Sequence, residues 1–246
     1  MCAKKPGFQV VKDEEVCVEN INDILFAGDV GCTTFDEEGR KVLGEILKNK
    51  CDLFIILGDL ARKGVEEEFN KVISFCDERV KIPIFTLRGN HDLPDYNKFF
   101  GKPTYALILE SIVFIFIDNV TDPAKVPEED LEFLKKELAK HSESKRFVIL
   151  FHIPPPTNIS SLHMSEEKWH SLKQALDEYQ DKIECIICGH IHGFQEYFLD
   201  GYHIYISGGG GAKLHNVGKN ALKKHHALKM DLARKSIANI QVIPVE

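Results

Sequence analysis

The chain has 246 residues, 43% of them hydrophobic and 28% charged, with a formal net charge of -7. That balance suits a folded globular protein and supplies no basic surface of the kind that broad binding to nucleic acid or anionic membrane requires. Seven cysteines cannot all pair internally, no apolar run reaches membrane-span length, and no charged start with an apolar stretch precedes residue 20. A reduced, cytoplasmic protein of one domain over residues 1–246, with no membrane partner, is expected.

Residues 1–20 are polar and unpatterned, an edge strand or a loose arm. From there apolar runs alternate with amphipathic segments. Residues 24–28, 53–57, 82–87, 147–151 and 183–188 read as buried strands, and 35–48 and 65–80 as helices with a charged outer face. Residues 105–109 and 112–117 read as adjacent antiparallel strands. Pro127 followed by Glu128, Glu129 and Asp130 opens a helix with a stripe of Leu131, Leu134 and Leu138. Ser165 is a candidate N-cap for a helix that puts Trp169, Leu172, Leu176 and Tyr179 on one face. Asp200-Gly201 between two alternating runs marks a hairpin, and strands continue to the end. Strands alternating with helices predict an α/β fold with a largely parallel sheet. Cys185 and Cys188 lie inside a strand run, which predicts buried thiols in preference to a redox or zinc pair.

Five short motifs follow the strand runs: Gly28-Asp29-Val30-Gly31, Gly58-Asp59, Gly89-Asn90-His91-Asp92, Phe151-His152-Ile153-Pro154 and Gly189-His190-Ile191-His192. Carboxylates at the C-terminal ends of strands stand where open α/β sheets place ligand groups. Asn90 offers a carbonyl oxygen to a divalent ion, and His91 beside it a titratable imidazole. His190 and His192, two apart, point the same way if the backbone there is extended. Any one motif alone is an ordinary turn or core residue. All five in this order, each behind an apolar strand, specify a metal-assisted hydrolase.

This pattern resembles the calcineurin-like metallophosphoesterases over nearly the whole stretch from residue 24 to 207. The resemblance implies a four-layer α/β/β/α sandwich of two mixed sheets and a dinuclear centre at the strand ends. By motif, Asp59 would bridge two divalent ions of the manganese, iron or zinc kind. Asn90, His152 and His190 would complete one shell, and Asp29 and His192 would serve the other ion. His91 would be catalytic, steadying the transition state or protonating the leaving oxygen. The two ions would activate a bridging hydroxide for in-line attack on a small phosphomonoester or phosphodiester.

The first motif departs from the family, most members of which carry Asp-x-His where this chain has Asp29-Val30-Gly31. Purple acid phosphatases share Gly-Asp-x-Gly but add a tyrosine at the position of Arg62, so an iron–tyrosinate site is not expected. Cys32 adjoins the gap as a sulfur donor or as a buried or capping thiol. A histidine restored at position 31 is expected to tighten the second ion. The competing reading of the replacement is a mononuclear or non-catalytic metal-binding interaction module on the same fold. Leu87-Arg88-Gly89-Asn90-His91-Asp92 is similar to the Leu-Arg-Gly-Asn-His-Glu of Ser/Thr protein phosphatases, which makes Arg88, with Asn90 and His91, a candidate substrate contact. Its alternative is a pair with a nearby carboxylate. Asp92 is expected to support His91, the glycines at 208–211 to pack beside the metals in preference to cradling a phosphate, and His163 and His215 to lie at the surface in preference to lining the cleft.

Overall fold

Uninterrupted apolar runs make strands that are buried on both faces, and here they build two sheets stacked face to face. The structure is a computed structural model that describes residues 5–31, 35–233 and 236–245. Cys32 lies outside the described residues.

One sheet has six strands: β1 (Gly7–Phe8), β5 (Pro83–Thr86), β4 (Leu53–Ile56), β3 (Asp23–Ala27), β12 (His226–Ala233) and β13 (Ser236–Pro244), in that spatial order. Its first four are parallel, β12 adds antiparallel to β3, and β13 adds antiparallel to β12. The second sheet has seven, in the order β10 (Phe194–Leu199), β11 (Tyr202–Ser207), β9 (Ile183–Cys188), β8 (Arg146–Leu150), β7 (Ile112–Phe116), β6 (Tyr105–Ile108) and β2 (Glu15–Cys17). The N-terminal segment is therefore no loose arm over its described residues. It lays a short strand on the edge of each sheet.

Strand alternation sorts the side chains into layers. Ile24 and Phe26 of β3, Ile55 of β4, Phe114 of β7, Val148 of β8 and Ile187 of β9 meet in the layer between the sheets. Their neighbours Leu25, Ala27 and Ile56 pack outward with α1 (Glu37–Ile46), α2 (Glu66–Arg79) and α3 (Tyr96–Phe100). Phe147, Ile149 and Ile186 pack outward with α4 (Glu128–His141) and α5 (Glu166–Leu176). The result is the α/β/β/α sandwich. Cys185 falls in the central layer and Cys188 in the outer one, so the two thiols face opposite sides of β9, and burial pushes both pKa values up.

Local signals act where expected. Ser165 accepts a hydrogen bond from the Lys168 amide at 3.2 Å, and Asp200 and Gly201 take φ of 50° and 86°, the left-handed pair that a tight hairpin needs. The five-residue α3 was not expected, because one turn is too short to show a helical period. Among the described residues no helix is long and apolar enough to cross a membrane. β3, β4, β5, β8 and β9 end at the same rim, and each delivers a motif residue there.

Candidate metal centre

Three of the expected ligands, Asp29, Asp59 and His190, have φ of 61°, 55° and 67°. This left-handed backbone, which asparagine and aspartate tolerate best, turns each side chain back over the strand end. Two glycines make room. A Cβ on Gly89 would stand 2.1 Å from Asp59 Oδ1, and one on Gly208 would stand 2.7 Å from Asp29 Oδ2.

The first cluster converges on one atom, His152 Nε2. Asn90 Oδ1 lies 3.2 Å from it, His190 Nδ1 3.3 Å and Asp59 Oδ2 3.4 Å. Such spacings match the edges of a coordination polyhedron with arms of about 2.1 Å. The other ring nitrogen of His152 donates to the Leu57 carbonyl at 2.8 Å, which leaves Nε2 to face the cluster. His192 repeats the device: its Nδ1 meets the Lys213 carbonyl at 2.7 Å, and its Nε2 stands 3.4 Å from Asp29 Oδ1. The His190 amide joins the two halves by donating to Asp29 Oδ2 at 2.9 Å.

Electrostatics favour a cation here. Burial alone would drive Asp59 and His152 to their neutral forms; their mutual contact overrides it, lowering the carboxyl pKa and raising the imidazole pKa. Burial and the charge on His152 press His190 down to about 3, leaving a neutral imidazole ready to bind metal. Asp29 is fully buried, and its Oδ1 takes no hydrogen bond. An unpartnered buried carboxylate oxygen facing an imidazole nitrogen is what a divalent ion would satisfy, so the donor set fits the implied metals.

The surrounding expectations divide. Asp92 does not reach the His91 ring. It accepts the amides of Gly89, Asp59 and Ala61 at 2.8, 2.9 and 3.0 Å and so clamps two motif loops together. His91 donates from its amide to Asp59 Oδ1 at 2.9 Å, while its Nδ1 meets the Arg62 carbonyl at 3.0 Å. Arg88 turns to Asp118 and Thr121, with Asn97 Oδ1 at 3.2 Å, so the carboxylate pairing prevails over a free phosphate clamp. The amides of Gly208, Gly210 and Ala212 go to the carbonyls of Gly193, Gly28 and Asp29, which is packing and not a phosphate cradle. His163 is half-buried, with Nδ1 on the Met164 carbonyl. His215 is no surface histidine: it stacks on His192 at 3.8 Å between ring centroids, and its Nδ1 accepts the His192 amide at 3.1 Å.

Position 31 corrects a second expectation. A Cβ there would lie 1.9 Å from the Leu60 carbonyl oxygen, so no histidine fits without moving the backbone. Glycine holds this turn for closeness to the second motif, and its amide donates to the Asp59 carbonyl at 3.0 Å. Asn119 had been overlooked. Its Oδ1 accepts the amides of His152 and Ile153 at 3.2 and 3.1 Å, which sets the His152 loop. The signal was available: Asp118-Asn119 follows the apolar run of β7 just as Asp29 and Asp59 follow theirs.

Two facing mixed sheets with a cluster of imidazole, amide and carboxylate donors at the strand ends define a metal-binding α/β sandwich. The sequence profile of the calcineurin-like phosphoesterases matches residues 23–194. The chain belongs to that family. It is 29% identical over 162 residues to a probable glycerophosphodiester phosphodiesterase, GpdQ, of Arcobacter nitrofigilis, covering 59% of this chain and 58% of that protein. Against the 3',5'-cyclic adenosine monophosphate phosphodiesterase CpdA of Haemophilus influenzae it is 26% identical over 176 residues, 67% of this chain and 64% of the relative. The chain thus spans about three fifths of the length of these relatives. In fold it is similar to the purple acid phosphatase PPD1 of yellow lupin, with a TM-score of 0.71 at 15% identity over 87% of this chain and 50% of that one.

Proposed function

We propose that this chain hydrolyses a small phosphate ester, a phosphodiester in preference to a phosphomonoester, at a dinuclear centre of manganese, iron or zinc ions. The observation that carries this reading is the convergence of Asn90, His190 and Asp59 on His152 Nε2 beside the unpartnered Asp29 Oδ1. Asp59, Asn90, His152 and His190 would hold one ion, and Asp59, Asp29 and His192 the other. When bound, the pair supplies an ionised water as nucleophile at neutral pH and positive charge for the phosphoryl oxygens. The diester preference is supported by the names of the two relatives, both phosphodiesterases.

The protein's own groups then position substrate and move the proton. Asn90 has an amide nitrogen left to donate to a phosphoryl oxygen while its Oδ1 faces the metal site. His91 is exposed, and the Arg62 carbonyl holds its Nδ1–H, which selects the tautomer with Nε2 open to the leaving oxygen. Protonated on both nitrogens, the ring would give its Nε2 proton to that oxygen as the ester bond breaks. Arg88 acts indirectly, anchoring the strand end before Asn90 through Asp118 and Thr121.

The test is metal content by elemental analysis, before and after exposure to Mn2+, with turnover of an aryl phosphodiester and an aryl phosphomonoester measured on both samples. At least two ions per chain with metal-dependent turnover, faster on the diester, is expected. Two ions with the monoester faster would reverse the substrate order. One ion or none without turnover would leave the mononuclear or non-catalytic module as the function of this fold.

A further inference from the structure

Away from the strand-end rim, the edge strand β2 meets helix α4, and three ligand-type side chains gather there. Glu137 and His141 are one helical turn apart and share a face, and Glu15 comes from the start of β2. Glu137 is fully buried, and neither of its carboxylate oxygens has a hydrogen-bond partner. Among the described residues, the buried side-chain atoms left in that state are these two, Asp29 Oδ1 and Arg88 Nε. An orphaned buried carboxylate is costly to keep, so the site needs a positive partner.

We propose that Glu15, Glu137 and His141 form a second, separate binding site for a divalent transition ion of the zinc class. The distances support it. Each residue offers a donor atom within 4.8 Å of the other two. His141 Nε2 stands 3.0 Å from Glu15 Oε1 and 3.6 Å from Glu137 Oε2. Those values bracket the separation of about 3.4 Å between two ligands of a tetrahedral ion with arms of about 2.1 Å. Two carboxylates and an imidazole suit zinc and its neighbours, whereas calcium and magnesium prefer all-oxygen shells. The remaining position would go to water.

The basic groups at the site set the competition. Lys140 pairs with Glu15 and is half exposed, so its ammonium can move to solvent when an ion arrives. Lys136 is engaged with Glu14 at 2.8 Å. The rival explanation of the orphaned oxygens is a proton held on Glu137 and shared with Glu15. A proton satisfies one oxygen, and the His141 Nε2 bond goes to Glu15 Oε1, which leaves the other oxygen of Glu137 without a partner. The ion would tie β2 to α4 across more than a hundred residues of chain, which makes its role structural.

The experiment counts zinc retained per chain after loading and desalting, in the unmodified protein, in Glu137→Gln and in His141→Gln. The difference between chains carries the result, so it does not depend on how many ions the rim site takes. Each variant is expected to retain about one ion fewer, with unchanged phosphoesterase turnover, and zinc is expected to raise the melting temperature of the unmodified chain more than that of either variant. Lys140→Ala should bind the ion several-fold more tightly by removing its competitor. Equal zinc in the unmodified chain and in folded His141→Gln would overturn the proposal even if Glu137→Gln failed to fold. Zinc retained in full by folded Glu137→Gln would overturn it too, because that variant preserves the protonated form.

Discussion

At the residue scale, His152, His192 and Asp59 are each held at the rim by a backbone partner on the far side. Leu57 fixes His152, Lys213 fixes His192, and Asp59 receives the His91 amide through the oxygen that does not face His152. These candidate donor atoms are thus set by the protein itself, and removing one should not unravel the fold. His152→Ala or Asn90→Ala is expected to lose metal and to cut turnover by about a hundredfold or more, with the melting transition kept. Elemental analysis and calorimetry on the same sample check both halves. Gly31 gives the opposite forecast. With the Leu60 carbonyl oxygen 1.9 Å from a Cβ there, Gly31→Ala should cost about 2 kcal/mol in denaturant unfolding. Gly31→His should cost at least as much without tightening the second ion in a metal titration. A stable Gly31→His with higher affinity would show that the turn can open.

At the scale of elements, the rim depends on what holds its loops from outside. The loop after β7 presents Asn119 to His152, and the first turn of α5 supports that loop through Lys168. The Lys168 side chain is buried and donates to the carbonyls of Asn119 and Asp122 at 2.8 and 2.6 Å, and burial lowers its pKa. Lys168→Met keeps the volume but strips two carbonyls of their donor. It should cost about 2 kcal/mol of stability and weaken metal binding through the loosened His152 loop. Unchanged metal affinity in that variant would uncouple α5 from the centre. The sequence showed Lys168 only as one more charge in an acidic first turn; its inward course depends on the strand end it meets. The strands, the hairpin and the four longer helices were legible because period and caps are local. The one-turn α3 was not, because its stability comes from what it lies against, and for the same reason an edge strand in residues 1–20 was legible only as an alternative to a loose arm.

At the scale of the whole molecule, the fold brings Glu15 of β2 and Glu137 of α4 to one place, where their charges oppose each other. Burial, reinforced by the Glu15 charge, pushes Glu137 up to about 7. Burial opposes the charge on Glu15 as well, but the bonds from Lys140 and His141 win and bring it down to about 2. Between pH 4.5 and about 7 the folded chain holds the Glu137 proton and the unfolded chain does not, so this group's stabilisation is full below that window and is lost as pH rises through it. Glu15 works the other way, its share present above pH 4.5 and lost as pH falls toward 2. In EDTA, Glu137→Gln should therefore gain stability relative to the unmodified chain on going from pH 5 to pH 8, read from urea midpoints. A difference that is flat with pH would mean Glu137 is ionised throughout.

By itself the sequence determined the alternation of strands and helices and the order of the motifs, and it singled out six residues, Asp29, Asp59, Asn90, His152, His190 and His192, that the fold brings to one rim. Those signals are local, each a polar group set directly behind an apolar run. Only the tertiary structure decided that Arg88 turns to Asp118, that Asp92 clamps two loops and not His91, that Leu60 forbids a side chain at position 31, and that Glu15 meets Glu137 and His141. Each of these turns on two segments far apart in sequence arriving at one place, and no pattern in either segment records its partner.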